Sequence, residues 1–114
     1  MKAIVKNKNI IVSSKVKIAK STFDRVIGLM FKKEMIKGDS LLIEPCNSIH
    51  TCFMNFPIDV LFLSSSNQIL HIVRNMRAWR FSKIYFKSKR VLELGGGELA
   101  QEINVGDILE FENV

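Results

Sequence analysis

Cys46, His50, Cys52 and Met54 stand within residues 46–54, and all four side chains have chemistry of their own. On a continuous strand these even-numbered positions would project from one face, about 6.6 Å between alternate neighbours. Thiolate, thioether and imidazole on one face invite Cu(I) or Zn(II). A strand spreads its ligands along a line, however, whereas zinc needs them to converge at roughly 2.0 to 2.3 Å. Packing is the competing role for free Cys and Met, and no metal or other cofactor is assigned. In catalytic form the same window offers Cys46 or Cys52 as nucleophile with His50 as base. No third group at a fixed spacing orients the imidazole, so no catalytic residue is assigned.

A second group of candidates follows. Asp59 sits after Pro57-Ile58 and before Val60-Leu61-Phe62-Leu63, a carboxylate on an otherwise apolar run. Buried there, it must accept hydrogen bonds from amides, pair with an arginine such as Arg77 or Arg80, or face a ligand beside His50. The segment Arg74-Asn75-Met76-Arg77-Ala78-Trp79-Arg80-Phe81 joins bidentate cations to aromatic faces, suited to a carboxylate, a phosphate or a stacked base. Tyr85, Phe86, Lys87, Lys89 and Arg90 prolong that character without a recognisable RNA-binding signature. Glu93 is placed to pair with an arginine of residues 74–80, on opposite charge alone. Leu94-Gly95-Gly96-Gly97-Glu98 offers backbone amides to an anion but has neither GxxxxGK[ST] nor GxGxxG spacing.

The elements that must position these residues are mostly short strands. Residues 3–6 and 9–12 flank Asn7-Lys8 as a hairpin, and residues 15–19 alternate polar with apolar. Ser21 followed by Asp24 reads as a helix start, and Phe23, Val26, Ile27 and Met30 recur at helical spacing. The pattern predicts one main helix over residues 22–31 with that stripe buried, and Gly28 inside it for close approach of another backbone. Residues 41–44, 58–63, 69–74, 91–94 and 108–112 read as strands, residues 46–55 as irregular or strand, and residues 98–103 as a short helical stretch. Residues 69–74 should find an antiparallel partner. Many strands and one helix predict a β-rich α+β fold, a small curved β-barrel with the helix packed against it.

With 114 residues, 47% of them hydrophobic, the chain suits one domain, residues 1–114, with an ordinary core. No apolar run is long enough for a membrane-spanning helix, no signal peptide is visible, and two cysteines make no disulfide framework. The expected compartment is the cytoplasm. The net charge of +6 is arranged in blocks: basic over residues 1–40 and 71–90, acidic over 41–70 and 91–114. Strand pairing would let opposite blocks neutralise one another.

Gly28-Leu29-Met30, the run Met54-Asn55-Phe56-Pro57-Ile58-Asp59, Asn75-Met76-Arg77-Ala78-Trp79, Val91-Leu92-Glu93-Leu94 and Val105-Gly106-Asp107 together resemble the DUF192 family, and their order is more specific than any one of them. The resemblance implies a fold and brings no reaction with it. It also implies an aromatic residue as the common occupant at Cys52, and Pro-Ala-Gly at the glycine run. DUF192-like sequences often follow an export signal, which leaves export open had a leader been trimmed. The expectation for function is a non-enzymatic binding module for a small polar or anionic ligand, or for a protein segment. Its expected cleft has His50, Met54 and Asp59 on one side and Arg77, Trp79 and Glu93 on the other. The alternatives are a nucleic-acid binder using residues 74–90 and a hydrolase-like enzyme using His50 and Asp59.

Overall fold

The structure, a computed structural model, describes residues 1–113. In chain order the strands are β1 (Lys2–Val5), β2 (Ile10–Ser13), β3 (Lys15–Ala19), β4 (Asp39–Ile43), β5 (Ile58–Leu63), β6 (Ile69–Met76), β7 (Arg90–Gly95) and β8 (Glu110–Glu112), and the helix α1 is Thr22–Ile27. They form two sheets, one in the order β2-β1-β8 and the other β3-β4-β7-β5-β6. β3 and β4 run parallel on either side of α1, and the remaining ladders are antiparallel.

The expected hairpin is β1–β2, turned by a 3-10 segment at Lys6–Lys8 and by Asn9 in the left-handed region (φ 54°). The charge blocks at the two ends of the chain do meet. Because β8 pairs with β1, Lys6 lies 3.1 Å from Glu110, and Lys8 lies 2.7 Å from Asp107. The Lys6 pair is exposed and contributes little, about 0 to 1 kcal/mol, whereas the Lys8–Asp107 pair is half-buried.

The large sheet is apolar on both faces, since all six residues of β5 are buried. Leu61, Leu63, Leu92 and Leu94 point into a core shared with Ala3 and Val5 of β1. Ile58, Val60, Phe62 and Val91 point the other way, towards Leu29, Ile49 and Met54. The period-2 side-chain alternation of strands makes this division.

Four expectations need correction. The sheets do not close into a barrel: β3 and β6 are the edges of the large sheet, and the small sheet packs across one face, linked to those edges by isolated backbone hydrogen bonds such as Val16 N–H to the Met1 carbonyl and not by continuous ladders. Edge strand β3 carries exposed Lys15 and Lys17, which discourage further pairing. The helix ends at Ile27 rather than residue 31, because Gly28 adopts φ 50°, ψ −122°, where only glycine is comfortable, and closes α1 through its N–H to the Asp24 carbonyl. Ser21 does cap the start, its side chain accepting from the Asp24 N–H at 3.0 Å. The predicted stripe is not buried: Phe23 is 73% and Val26 59% exposed, and α1 contains no buried residue. Residues 98–103 form turns, not a helix.

Candidate functional site

The stripe of α1 finds no core because a cavity lies between the helix and the sheet. Its volume is about 470 Å³, within the usual range for small-molecule sites. Thr22, Arg25, Val26 and Ile27 of α1 form one wall, Gly28, Leu29 and Met30 continue it, and the segment from Pro45 to His50 forms the other. Ile43 of β4 and Glu93 of β7 make the floor, and Met54 closes one side.

Glu93 is the unusual member. It is only 3% exposed, and among the described residues its carboxyl forms no hydrogen bond or ion pair. Its cross-strand neighbours are Leu41 and Val60, both aliphatic and buried. Burial away from water penalises the charged form and pushes its pKa up to about 8. The acid is therefore mainly protonated at neutral pH. A Cβ added at Gly28 would stand 4.0 Å from Glu93 Oε1, which shows how near the helix terminus comes to the carboxyl.

Arg25, Cys46 and His50 are among the other polar groups that line the cavity. Arg25 donates from Nη1 to the Pro45 carbonyl at 3.2 Å, while its Nε is buried with no acceptor. The Cys46 thiol donates to the Ser48 carbonyl at 3.1 Å, and burial raises its pKa, the opposite of what an activated nucleophile needs. His50 accepts the Cys52 N–H on Nδ1 at 3.1 Å, so in the neutral ring the proton sits on Nε2.

The expected cleft is thus only partly assembled. His50, Met54 and Glu93 converge on the cavity. Asp59 does not: it pairs in register with Leu94 and faces the other core. Its Oδ1 accepts from Asn75 N–H at 2.8 Å and its Oδ2 from Leu99 N–H at 2.9 Å, so amides satisfy it and among the described residues no arginine pairs with it. Arg74 instead donates to the carbonyls of Leu99, Ala100 and Ile103, so Asp59 and Arg74 together clamp that turn. Glu93 has no arginine partner from residues 74–80 either. Residues 46–55 are not a continuous strand, and of the four side chains with shared parity Cys46, His50 and Met54 line the cavity while Cys52 does not. Cys46 and Cys52 are free thiols.

Arg77 and Trp79 lie on an exposed surface held by Thr51, which sequence reading missed. The Thr51 hydroxyl donates to the Arg77 carbonyl at 2.6 Å and accepts from the Arg80 N–H at 2.9 Å, and the Thr51 carbonyl accepts from the Trp79 N–H at 3.0 Å. This sets Trp79 edge-on to Phe53, ring centres 4.6 Å apart, with Phe31 next in line at 5.3 Å from Phe53. Phe31, Phe53 and Trp79 all have left-handed backbones, with φ of 66°, 62° and 62°. The glycine run offers no free anion cradle at its centre, because Gly96 N–H donates to the Pro57 carbonyl at 2.9 Å. A Cβ at Gly96 would come within 3.0 Å of that same carbonyl, which is why glycine stands there.

Among the described residues no helix is long and apolar enough to cross a membrane. A UPF0127 protein of Pyrococcus furiosus is 30% identical to this chain, over 87% of it and 88% of the relative. A UPF0127 protein of Thermococcus sibiricus is 32% identical, over 96% of this chain and 73% of the relative. The crystal structure of a protein of unknown function from Novosphingobium aromaticivorans superimposes with a TM-score of 0.76 at 21% identity, covering 84% of this chain and 74% of that one, and so shares the fold. DUF192, described as Uncharacterized ACR, COG1430, matches residues 3–111, and the chain belongs to that family.

Proposed function

We propose that this chain is a non-enzymatic binding domain for a small polar molecule, held in the cavity between α1 and the large sheet. One observation carries the reading: Glu93 is buried in the cavity floor without a partner. An unmet buried carboxyl costs stability, and folds keep such groups mainly where a ligand or a reaction uses them. Binding is favoured over reaction because the Cys46 thiol is held protonated, while the hydrolase alternative needs Asp59, which faces the opposite side of the sheet from His50. Free thiols at Cys46 and Cys52 suit a reducing compartment such as the cytoplasm.

Native mass spectrometry of the freshly purified protein tests the reading, alongside Met30→Trp, which fills the cavity. A bound small molecule in the wild type that is missing from the variant is the expected result. If a fragment screen by amide NMR moved no resonance of Gly28, Met30, Cys46 or Ile49, the reading would fail.

A second reading rests on the surface beside the cavity. Phe31, Phe53 and Trp79 are exposed and lie in a row, tilted and edge-on to one another, and Lys32, Arg77 and Arg80 nearby form no ion pair among the described residues. Aromatic faces among unpaired cations suit single-stranded nucleic acid, whose bases stack while phosphates meet the cations. Affinity for an oligonucleotide that falls steeply with salt and is lost in Trp79→Ala would support it, and salt-independent or absent binding would end it.

A further inference from the structure

We propose that the cavity takes a small molecule carrying an ammonium group beside a carboxylate on an apolar body, with the ammonium on Glu93 and the carboxylate on Arg25. This rests on the cavity being the ligand site and adds the chemistry of what fills it.

The argument starts from what each polar group lacks. Glu93 stands among Leu41, Val60 and Val91, and no group among the described residues hydrogen-bonds or pairs with its ionised form. A primary ammonium supplies both the missing charge and up to three donors. Arg25 lacks the complement: Nη1 is spent on a backbone carbonyl, Nε is buried with no acceptor, and Nη2 has no acceptor among the described residues, which leaves it to meet a ligand. A carboxylate supplies acceptors in the fork geometry a guanidinium prefers.

Charge balance narrows the class further. A cation alone would answer Glu93 and leave Arg25 unmet, and an anion alone would do the reverse. A zwitterion answers both and brings no net charge into a low-dielectric site, where an unpaired ion is costly. The remaining lining is largely apolar, with Val26, Ile27, Met30, Ile43, Ile49 and Met54, and the volume of about 470 Å³ accommodates a branched or aromatic body. Apolar α-amino acids and their close analogues have this combination.

The other groups facing the site set the pH window. Cys46, His50 and Arg25 share the cavity with Glu93. An ammonium ligand needs Glu93 ionised, whereas the empty site holds it protonated, so binding below pH 8 releases a proton. Affinity should then rise by about tenfold per pH unit up to that point and level off above it.

Calorimetric titration with two matched sets of probes tests the proposal: L-phenylalanine, phenethylamine, 3-phenylpropionate and 2-phenylethanol, then L-leucine, isoamylamine, 4-methylpentanoate and isoamyl alcohol. Within at least one set the amino acid should bind tightest, the amine next, and the carboxylate and alcohol weakest. Glu93→Gln should weaken amino acid and amine at least tenfold while leaving the carboxylate unchanged, and Arg25→Gln should weaken the amino acid and not the amine. The pH profile of the unmutated protein gives an independent answer should either variant misfold. Alcohol or carboxylate binding as tight as the amino acid, with cavity resonances moving, would overturn the zwitterion and leave the cavity a ligand site. Failure of every probe to bind at millimolar concentration would also overturn it, and only if the fragment screen is silent too does the cavity reading fall with it.

Discussion

Asp59 and Glu93 are two buried carboxyl groups on adjacent strands, one register step apart, and the fold treats them in opposite ways. Asp59 on β5 pairs with Leu94, and Glu93 on β7 pairs with Val60, so the alternation of the pleat sends them to opposite faces of one sheet. Asp59 meets two backbone amides, from Asn75 and Leu99, and becomes a clamp on the chain. Glu93 meets a cavity. Burial alone therefore does not mark a functional acid, and the informative difference is whether the protein itself satisfies the group.

Removing each carboxyl should have a different signature, and the largest effect belongs to Asp59. Asp59→Ala strands the buried Leu99 N–H and the half-buried Asn75 N–H, each worth about 1 to 3 kcal/mol, for a total loss of about 2 to 6 kcal/mol. Urea denaturation measures it, and an unchanged midpoint would mean that the clamp contributes nothing.

Glu93 should instead reveal itself through pH. Its folded pKa, near 8, lies above the unfolded value of 4.5, so between those values the folded state binds more protons than the unfolded one. Its contribution to stability therefore falls as pH rises from about 4.5 to 8 and is constant outside that window. Glu93→Gln removes this dependence. Relative to wild type it should be close to neutral at pH 5 and more stable by on the order of 3 kcal/mol at pH 9, read from denaturation curves at both pH values. Parallel pH profiles for the two proteins would put Glu93 in the same class as Asp59.

Smaller effects sharpen the contrast. Gly28→Ala should cost about 1 to 3 kcal/mol, because a non-glycine residue is strained at that backbone geometry while the added Cβ meets only ordinary contacts. Loss of that order by thermal denaturation, with the cavity still accepting a ligand, would separate the helix stop from the site. Arg77→Ala, on the exposed surface, should change stability by no more than about 0.5 kcal/mol while weakening any oligonucleotide binding.

The sequence makes much of the fold legible, because β3 and β5 follow from alternation, apolar runs and turn residues, and the β1–β2 hairpin from its flanking pattern. It misleads at α1 for a physical reason. Phe23, Val26, Ile27 and Met30 have the spacing of a core stripe, yet Val26, Ile27 and Met30 line a cavity, and periodicity cannot tell a face that packs from one that waits for a ligand. Barrel closure was likewise beyond reach, since strand count does not say whether edges meet or faces stack.

The site was half legible. His50, Met54 and Glu93 can be singled out by residue type, but Asp59 and Glu93 look alike as lone acids on apolar runs. What separates them is the amide of Leu99, separated by 40 positions from Asp59, a contact that only the folded chain creates. Arg25 joins the site because Gly28 turns the chain over Glu93, and the family-like Gly28-Leu29-Met30 was the one sequence signal pointing there.

A carboxyl carbon NMR titration of the unliganded protein tests the central claim most directly. Glu93 should change protonation near pH 8, and saturating the cavity with an ammonium-bearing ligand should move that transition well down. A Glu93 transition in the ordinary range, near its unburied value of 4.5, would show that solvent or a protein group already satisfies the acid, and would contradict the account.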